Sequence, residues 1–217
     1  FSQRTTILIF VFLFAFNGFG QTRVKAMFYN LLNYEDNQVS RDKTVHLRNI
    51  LNEVSPDLFM VCELEEEEGS DYLFANAVLT HNSNFEKAEY QTSNASISLN
   101  QMVYYNSNKL ILENQRVIPT TLRDINHYTF RLNTVNSSSN PIRLEVFVTH
   151  LKASEGFDNR FRRLLSVEEF VDELDNIPQT SYVLFAGDFN FYSSNEEGYQ
   201  LILNENNSIQ MIDPINR

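Results

Sequence analysis

Five residues stand where this sequence has the means to do chemistry: Asn30, Glu63, His150, Asp188 and Asn190. Asp188 and Asn190 belong to Gly187-Asp-Phe-Asn, directly after the apolar run Tyr182–Ala186. A carboxylate and a carboxamide offer a charged acceptor beside a neutral donor–acceptor, enough to orient a water and hold a phosphate oxygen. Gly, Asp and Asn are also turn formers, so the pair by itself reads equally as a turn. Glu63 is the best candidate to bind a hard cation. Mg²⁺ and Mn²⁺ bind through one or two carboxylates and keep several waters. A histidine with an ordinary pKa of about 6.5 is a general acid or electrophile near neutrality. At the end of an apolar face it is just as readily a hydrogen-bonded core residue. Together these types suit cleavage of a phosphodiester, which needs a nucleophilic water, an in-line attack and neutralisation of charge on the phosphoryl oxygens.

The elements that must position them are short and regular. Val24–Tyr29 reads as a strand ending at Asn30, and Asp57–Cys62 as a buried strand ending at Glu63. Ile142–Leu151 alternates, with Ile142, Leu144, Val146, Val148 and His150 on one face by parity. Tyr182–Ala186 has no alternation, the pattern of a strand covered on both faces. Four polar groups therefore follow four strands. Between them, the spacing predicts helices over Asp42–Val54, stopped by Ser55-Pro56, over Ser70–Thr80, and over Gly156–Ile177. In the last, Phe157, Phe161, Leu164, Leu165, Val171 and Leu174 are expected to face inward, opposite Arg162, Arg163, Glu169 and Asp172. Further strands are expected at Met102–Tyr105, Leu110–Ile118 and His127–Val135, and a short helix at Asn195–Glu205. Glu65–Glu68 reads as a solvated acidic loop. This order implies an α/β protein of two packed sheets flanked by helices.

With 217 residues the chain has room for one sizeable core. Residues 1–20 have the pattern of a signal peptide: Arg4, the apolar run Ile7–Phe16, then Gly18 and Gly20 ahead of Gln21. The run is too short for a comfortable membrane span, so the expectation is a secreted or periplasmic protein with no transmembrane segment in the mature chain. Without Arg4 the balance is 16 Lys+Arg against 28 Asp+Glu, a net of −12. Such a chain lacks the basic field that drives non-specific nucleic-acid binding, so a phosphodiester substrate needs a cation to offset repulsion locally. Cys62 is the only cysteine, which excludes an intrachain disulfide and argues against a cysteine-based zinc site.

Four motifs in order carry a resemblance: Met27-Phe-Tyr-Asn30, Pro56-Asp57 through to Glu63, Thr149-His150-Leu151, and Gly187-Asp-Phe-Asn190. Over roughly Val24–Ile215 the chain resembles the endonuclease/exonuclease/phosphatase superfamily, whose members include DNase I-like nucleases, inositol phosphatases and sphingomyelinases. The resemblance implies a DNase I-like four-layer sandwich and Mg²⁺-dependent phosphoester hydrolysis. Glu63 and Asn30 would form the metal site, Asp188 and Asn190 would orient nucleophile and phosphate, and His150 would sit near the scissile phosphate. Tyr105, or its neighbour Tyr104, would match a tyrosine used there, and Arg160 would reach a phosphate from the helix start or remain solvated. Lys152, Arg160, Arg162 and Arg163 read as a basic groove or an ordinary solvated face.

The family closes with two further strands that carry a second metal-binding Asp and an Asp-His pair. This sequence runs from Met211-Ile-Asp-Pro214 to Arg217 without them. The expectation is therefore a signal peptide over 1–20 and a domain over 21–217 that lacks C-terminal strands. As given it would have little activity and an unfilled sheet edge. For the complete protein the leading function is an exported endonuclease acting on nucleic acid, with no stable protein partner. The alternatives are a sphingomyelinase-like phospholipase, an inositol phosphatase, or an inactive binding module.

Overall fold

The computed structural model describes residues 23–93, 99–135 and 137–215, so the expected signal peptide lies outside the described residues. The chain begins with β1 (Ala26–Tyr34) and α1 (Gln38–Val54), followed by β2 (Leu58–Leu64). Asn37 starts α1, accepting from Ser40 N at 2.9 Å. The helix thus begins at Gln38, four residues earlier than its apolar stripe suggests. Ser55 ends it in the left-handed region with Pro56 behind, its amide donating to Leu51 O.

Helix α2 (Glu67–Leu73) runs through a π-helical turn, Phe74–Val78, into α3 (Leu79–His81). Glu67 and Glu68, read as solvated loop, occupy its first turn, where negative charge meets the positive end of the helix dipole. Strands β3 (Phe85–Lys87), β4 (Asn100–Asn106), β5 (Leu110–Ile118), β6 (Ile125–Leu132) and β7 (Arg143–His150) come next. Helix α4 (Phe157–Leu174), β8 (Tyr182–Asp188) and α5 (Glu197–Ile202) complete the elements.

The strands form two four-stranded sheets, ordered β1-β2-β4-β3 and β5-β6-β7-β8. Each contains one parallel pair joined through a helix: β1 with β2 through α1, and β7 with β8 through α4. All other pairs are antiparallel. The inner faces meet in one core, where Leu58, Met60, Val103 and Tyr105 join Tyr128, Phe130, Val146 and Val148. Leu47, Leu51, Ala77 and Val78 cover the outer side of the first sheet. Phe147 and Ile125 of the second pack under Val167, Phe170 and Leu174 of α4 and Ile202 of α5. The result is four layers, helices outside two facing sheets, as the sequence led us to expect.

Three local expectations change. Strand β7 is buried on both faces from Glu145 to His150, because α4 covers the side opposite the sheet interface. Strand β8 is packed on both faces yet only half-buried, because among the described residues it pairs with β7 alone. Helix α4 is rotated: Phe157 and Phe161 are 72% and 49% exposed, while Arg163 is fully buried. Its inward stripe is Arg163, Val167, Phe170 and Leu174. Apolar residues spread over more than one face of this helix, so hydrophobic spacing alone did not fix its rotation.

Candidate active site

Parallel strands bring their C-terminal ends to one rim, and both parallel pairs end at the same place. Asn30 and Glu63 come from β1 and β2, His150 and Asp188 from β7 and β8. His150 is the register partner of Asp188, one step beyond Thr149 opposite Gly187. A Cβ at Gly187 would lie 2.2 Å from Thr149 O, so only glycine lets the strands close here and deliver the pair.

On the first sheet the delivery is irregular. The β1–β2 register shifts between Asn30 and Tyr34, and the β2–β4 register between Val61 and Leu64. Leu32, Asn33 and Glu63 all have positive φ, at 56°, 51° and 62°. Bulges of this kind re-aim side chains next to functional sites. Contrary to the sequence reading, β1 does not end at Asn30 but continues past it through the irregularity.

The four side chains meet. Asn30 Nδ2 donates to Glu63 Oε1 at 2.8 Å and to Asp188 Oδ2 at 3.0 Å, bridging the two sheets. Asn33 N donates to Glu63 Oε2 at 3.0 Å. His150 Nε2 lies 3.6 Å from Glu63 Oε1 and 4.0 Å from Asp188 Oδ2. One ligand atom from each of Glu63, His150 and Asp188 falls within 4.8 Å of the others. The Glu63 side chain is 12% exposed, His150 4% and Asp188 34%, so the cluster is sunk but open to solvent at Asp188. The two carboxylates, Glu63 and Asp188, are oxygen donors of the kind that suits a hard divalent cation.

Arg123 is the residue that the sequence reading missed. It lies in the loop before β6 and its Nη1 donates to His150 O and Leu151 O at 3.4 and 3.1 Å. Burial lowers its pKa from the usual arginine value, opposed by Glu63, Cys62 and Asp188. The same guanidinium, after burial itself, lowers the pKa of His150 against the pull of Glu63 and Asp188. His150 is therefore a neutral imidazole at neutral pH, with Nδ1 buried and unpartnered among the described residues. Cys62, next to Glu63, is driven up by burial and then by the charges of Glu63 and Asp188, so it is an inert thiol.

The remaining sequence candidates are placed as follows. Asn190, at φ 51°, donates its amide N to Asp188 Oδ1 at 3.2 Å and its Nδ2 to Leu151 O at 3.1 Å. It braces Asp188. Tyr105 is not brought to the cluster: β4 runs antiparallel to β2, so Asn100 pairs with Leu64 near the site and Tyr105 with Leu58 at the far end. Five residue steps along β4 separate those ends, roughly 17 Å. Its hydroxyl donates to Glu86 and Tyr104's contacts Ser70. Arg160 is exposed on the first turn of α4, and among the described residues its side chain has no hydrogen bond or ion pair to the cluster. Among the described residues His150 is the only histidine there: His46 is exposed, His81 faces Asn52, and His127 pairs with Glu145.

The human Nocturnin catalytic domain, solved with a bound sulfate anion, is similar at 17% identity with a TM-score of 0.63, over 84% of this chain and 70% of that one. Humanized D. rerio TDP2 is similar at 16% identity and TM-score 0.59, over 79% and 64%. An endonuclease/exonuclease/phosphatase family protein from Bacteroides thetaiotaomicron is similar at 12% identity and TM-score 0.60, over 82% and 67%. The chain has the endonuclease/exonuclease/phosphatase fold. At these identities the likeness concerns that fold, and the chain spans 64% of the length of the TDP2 chain it matches. No protein-family model and no curated protein matches the sequence. In this DNase I-like fold the cluster lies at the rim where the two parallel pairs end.

Proposed function

We propose that this chain carries the active centre of a divalent-cation-dependent phosphodiester hydrolase, with Mg²⁺ or Mn²⁺ as the cofactor and nucleic acid as the leading substrate. The observation that carries the reading is the meeting of Asn30, Glu63, His150 and Asp188, from four strands and two sheets, within hydrogen-bond or ion-pair reach. Glu63 would hold the cation with Asp188 beside it, and Asn30 would line the site, its Nδ2 donating to both carboxylates and its Oδ1 accepting from Leu32 N. When bound, the cation neutralises charge on the phosphoryl oxygens. Asp188, braced by Asn190, accepts a hydrogen bond from the attacking water and orients it. His150, neutral and enclosed, offers a hydrogen-bond donor to a non-bridging oxygen. Arg123 supplies fixed positive charge behind it. Export, read from residues 1–20, belongs to the same proposal, as does the absence of a membrane span. No helix among the described residues is long and apolar enough to cross a membrane.

A second reading, a lipid-directed phosphodiesterase, draws support from the exposed, parallel-stacked pair Phe157 and Phe161. The pair opens α4, at the rim that carries His150. The deciding experiment is hydrolysis of a DNA oligonucleotide, an RNA oligonucleotide, sphingomyelin vesicles and an inositol polyphosphate, each with Mg²⁺ and with EDTA. Slow Mg²⁺-dependent cleavage of the oligonucleotides, lost in EDTA and in Glu63→Gln, is expected. Cleavage that persists in both would contradict the reading, and cleavage of sphingomyelin alone would select the second.

A further inference from the structure

We propose that Arg163 is the positioning residue of this centre: it locks the loop following His150 to the loop following Asp188. The inference deepens the phosphodiesterase reading and rests on it for its catalytic consequence, though not for its geometry. Arg163 sits in the second turn of α4 with a side chain that is 0% exposed. Its Nε and Nη2 donate to the two oxygens of Glu196 at 2.8 and 3.0 Å, the two-pronged arrangement that fixes a carboxylate in direction. Its Nη1 donates to the carbonyls of Lys152 and Ser154 at 2.7 and 3.0 Å. One guanidinium therefore holds the backbone just after His150 and the carboxylate of a residue in the segment after Asp188.

The connection continues toward the cluster. The Tyr192 ring centre lies 5.4 Å from Arg163 Cζ, and Tyr192 N donates to Glu196 Oε1 at 2.9 Å. Ser154 N donates to Tyr192 Oη at 3.1 Å. Asn190 Nδ2 reaches across to Leu151 O, and Leu151 N donates to Asp188 O at 2.9 Å. A run of cross-loop bonds leads from Arg163 to the residue that orients the water.

Both loops also contain a residue in the left-handed region, Ser154 at φ 81° and Asn190 at φ 51°. Such conformations persist only where the surroundings over-determine them. Arg163 and Tyr192 hold both backbone polar groups of Ser154. A buried ion pair is weak evidence for stability, because apolar residues of similar volume often serve as well. What an apolar pair cannot supply is the direction of these bonds. That separates positioning from packing.

The test is the charge-free double variant Arg163→Met with Glu196→Met. It should fold, with unchanged far-UV circular dichroism and cooperative melting. Its Mn²⁺ affinity, read by electron paramagnetic resonance, should fall about tenfold or more. Amide exchange at Leu151 and Asn190 should quicken about tenfold as the loops part. Where cleavage is measurable, kcat should fall with KM nearly unchanged, and Arg163→Lys, which keeps the charge but loses the fork, should not rescue it. A folded double variant with unaltered Mn²⁺ affinity and exchange would overturn the proposal. Should the double variant not fold, Glu196→Gln decides by the same two readouts, unaltered values again overturning it. A wild-type chain that binds Mn²⁺ but cleaves no diester would sink the phosphodiesterase reading alone, since binding and exchange still decide the role of Arg163.

Discussion

Glu63 occupies a left-handed backbone position at the end of a strand whose preceding five residues are all buried. For a residue with a Cβ that state costs on the order of 1–3 kcal/mol, tolerated where surrounding structure holds it and a site gains by it. Here Asn30 and Asn33 hold both carboxylate oxygens. The residue before it, Cys62, feels the same charges from the other side. Burial first, then Glu63 and Asp188, raise its thiol pKa, with Arg123 opposing. A disulfide-exchange reagent at pH 8 is therefore expected to leave native Cys62 unmodified and to titrate one thiol per chain only after denaturation in urea. Rapid modification of the native protein would show that the strand end is not packed as described.

At the scale of elements, the two βαβ units do the positioning, and Gly187 is the point where one of them is most exacting. With Thr149 O at 2.2 Å from a would-be Cβ, Gly187→Ala must push β8 away from β7. Overpacking of this kind typically costs about 1–3 kcal/mol. The urea midpoint is expected to drop accordingly, and the His150–Asp188 register that carries half the site should loosen with it. An alanine variant with unchanged stability would mean that the strands do not approach as closely as drawn. Helix α4 is the element where hydrophobic spacing misled. Its apolar residues number more than one stripe can take, and the surplus, Phe157 and Phe161, faces solvent. Arg163 took an inward place because Glu196 and two carbonyls were there to meet it.

For the whole molecule, acid is the condition most directly linked to structure. Four glutamates sit below the ordinary carboxylate range. In Glu113, Glu145 and Glu196 burial pushes the pKa up but is outweighed by hydrogen bonds, from Arg131 and Arg143, from His127 and Thr129, and from Arg163 and the Tyr192 backbone. In Glu173 the Arg116 hydrogen bond leads, ahead of burial. A depressed native pKa means that the unfolded chain binds protons first as pH falls. The stabilisation is thus complete above the unfolded value of about 4.3 and is lost as pH drops through the lower native values. Urea midpoints should fall modestly as pH drops through about 6.5, where the unfolded chain protonates histidines that the fold keeps neutral at His150 and His81, and fall further below about 4.5; midpoints that do not decline between about pH 5 and 3 would contradict the glutamate assignments.

The same scale explains what could be read from the residues alone. Asn30, Glu63, His150 and Asp188 were legible because each interrupts an apolar run, and a polar group at such a boundary stands out. Arg123 was not, because it sits in the mixed loop Pro119–Asp124 with no pattern around it. Tyr105 was misplaced because strand direction, invisible in a short apolar run, decides which end reaches the rim.

The central claim is that four strand ends from two sheets make one cation site. Mn²⁺ titration followed by electron paramagnetic resonance tests it most directly. The account predicts a site that binds Mn²⁺ in the wild-type chain and is lost in Glu63→Gln and weakened in Asp188→Asn, with the fold intact in both. Undiminished binding in the folded Glu63→Gln variant would contradict it.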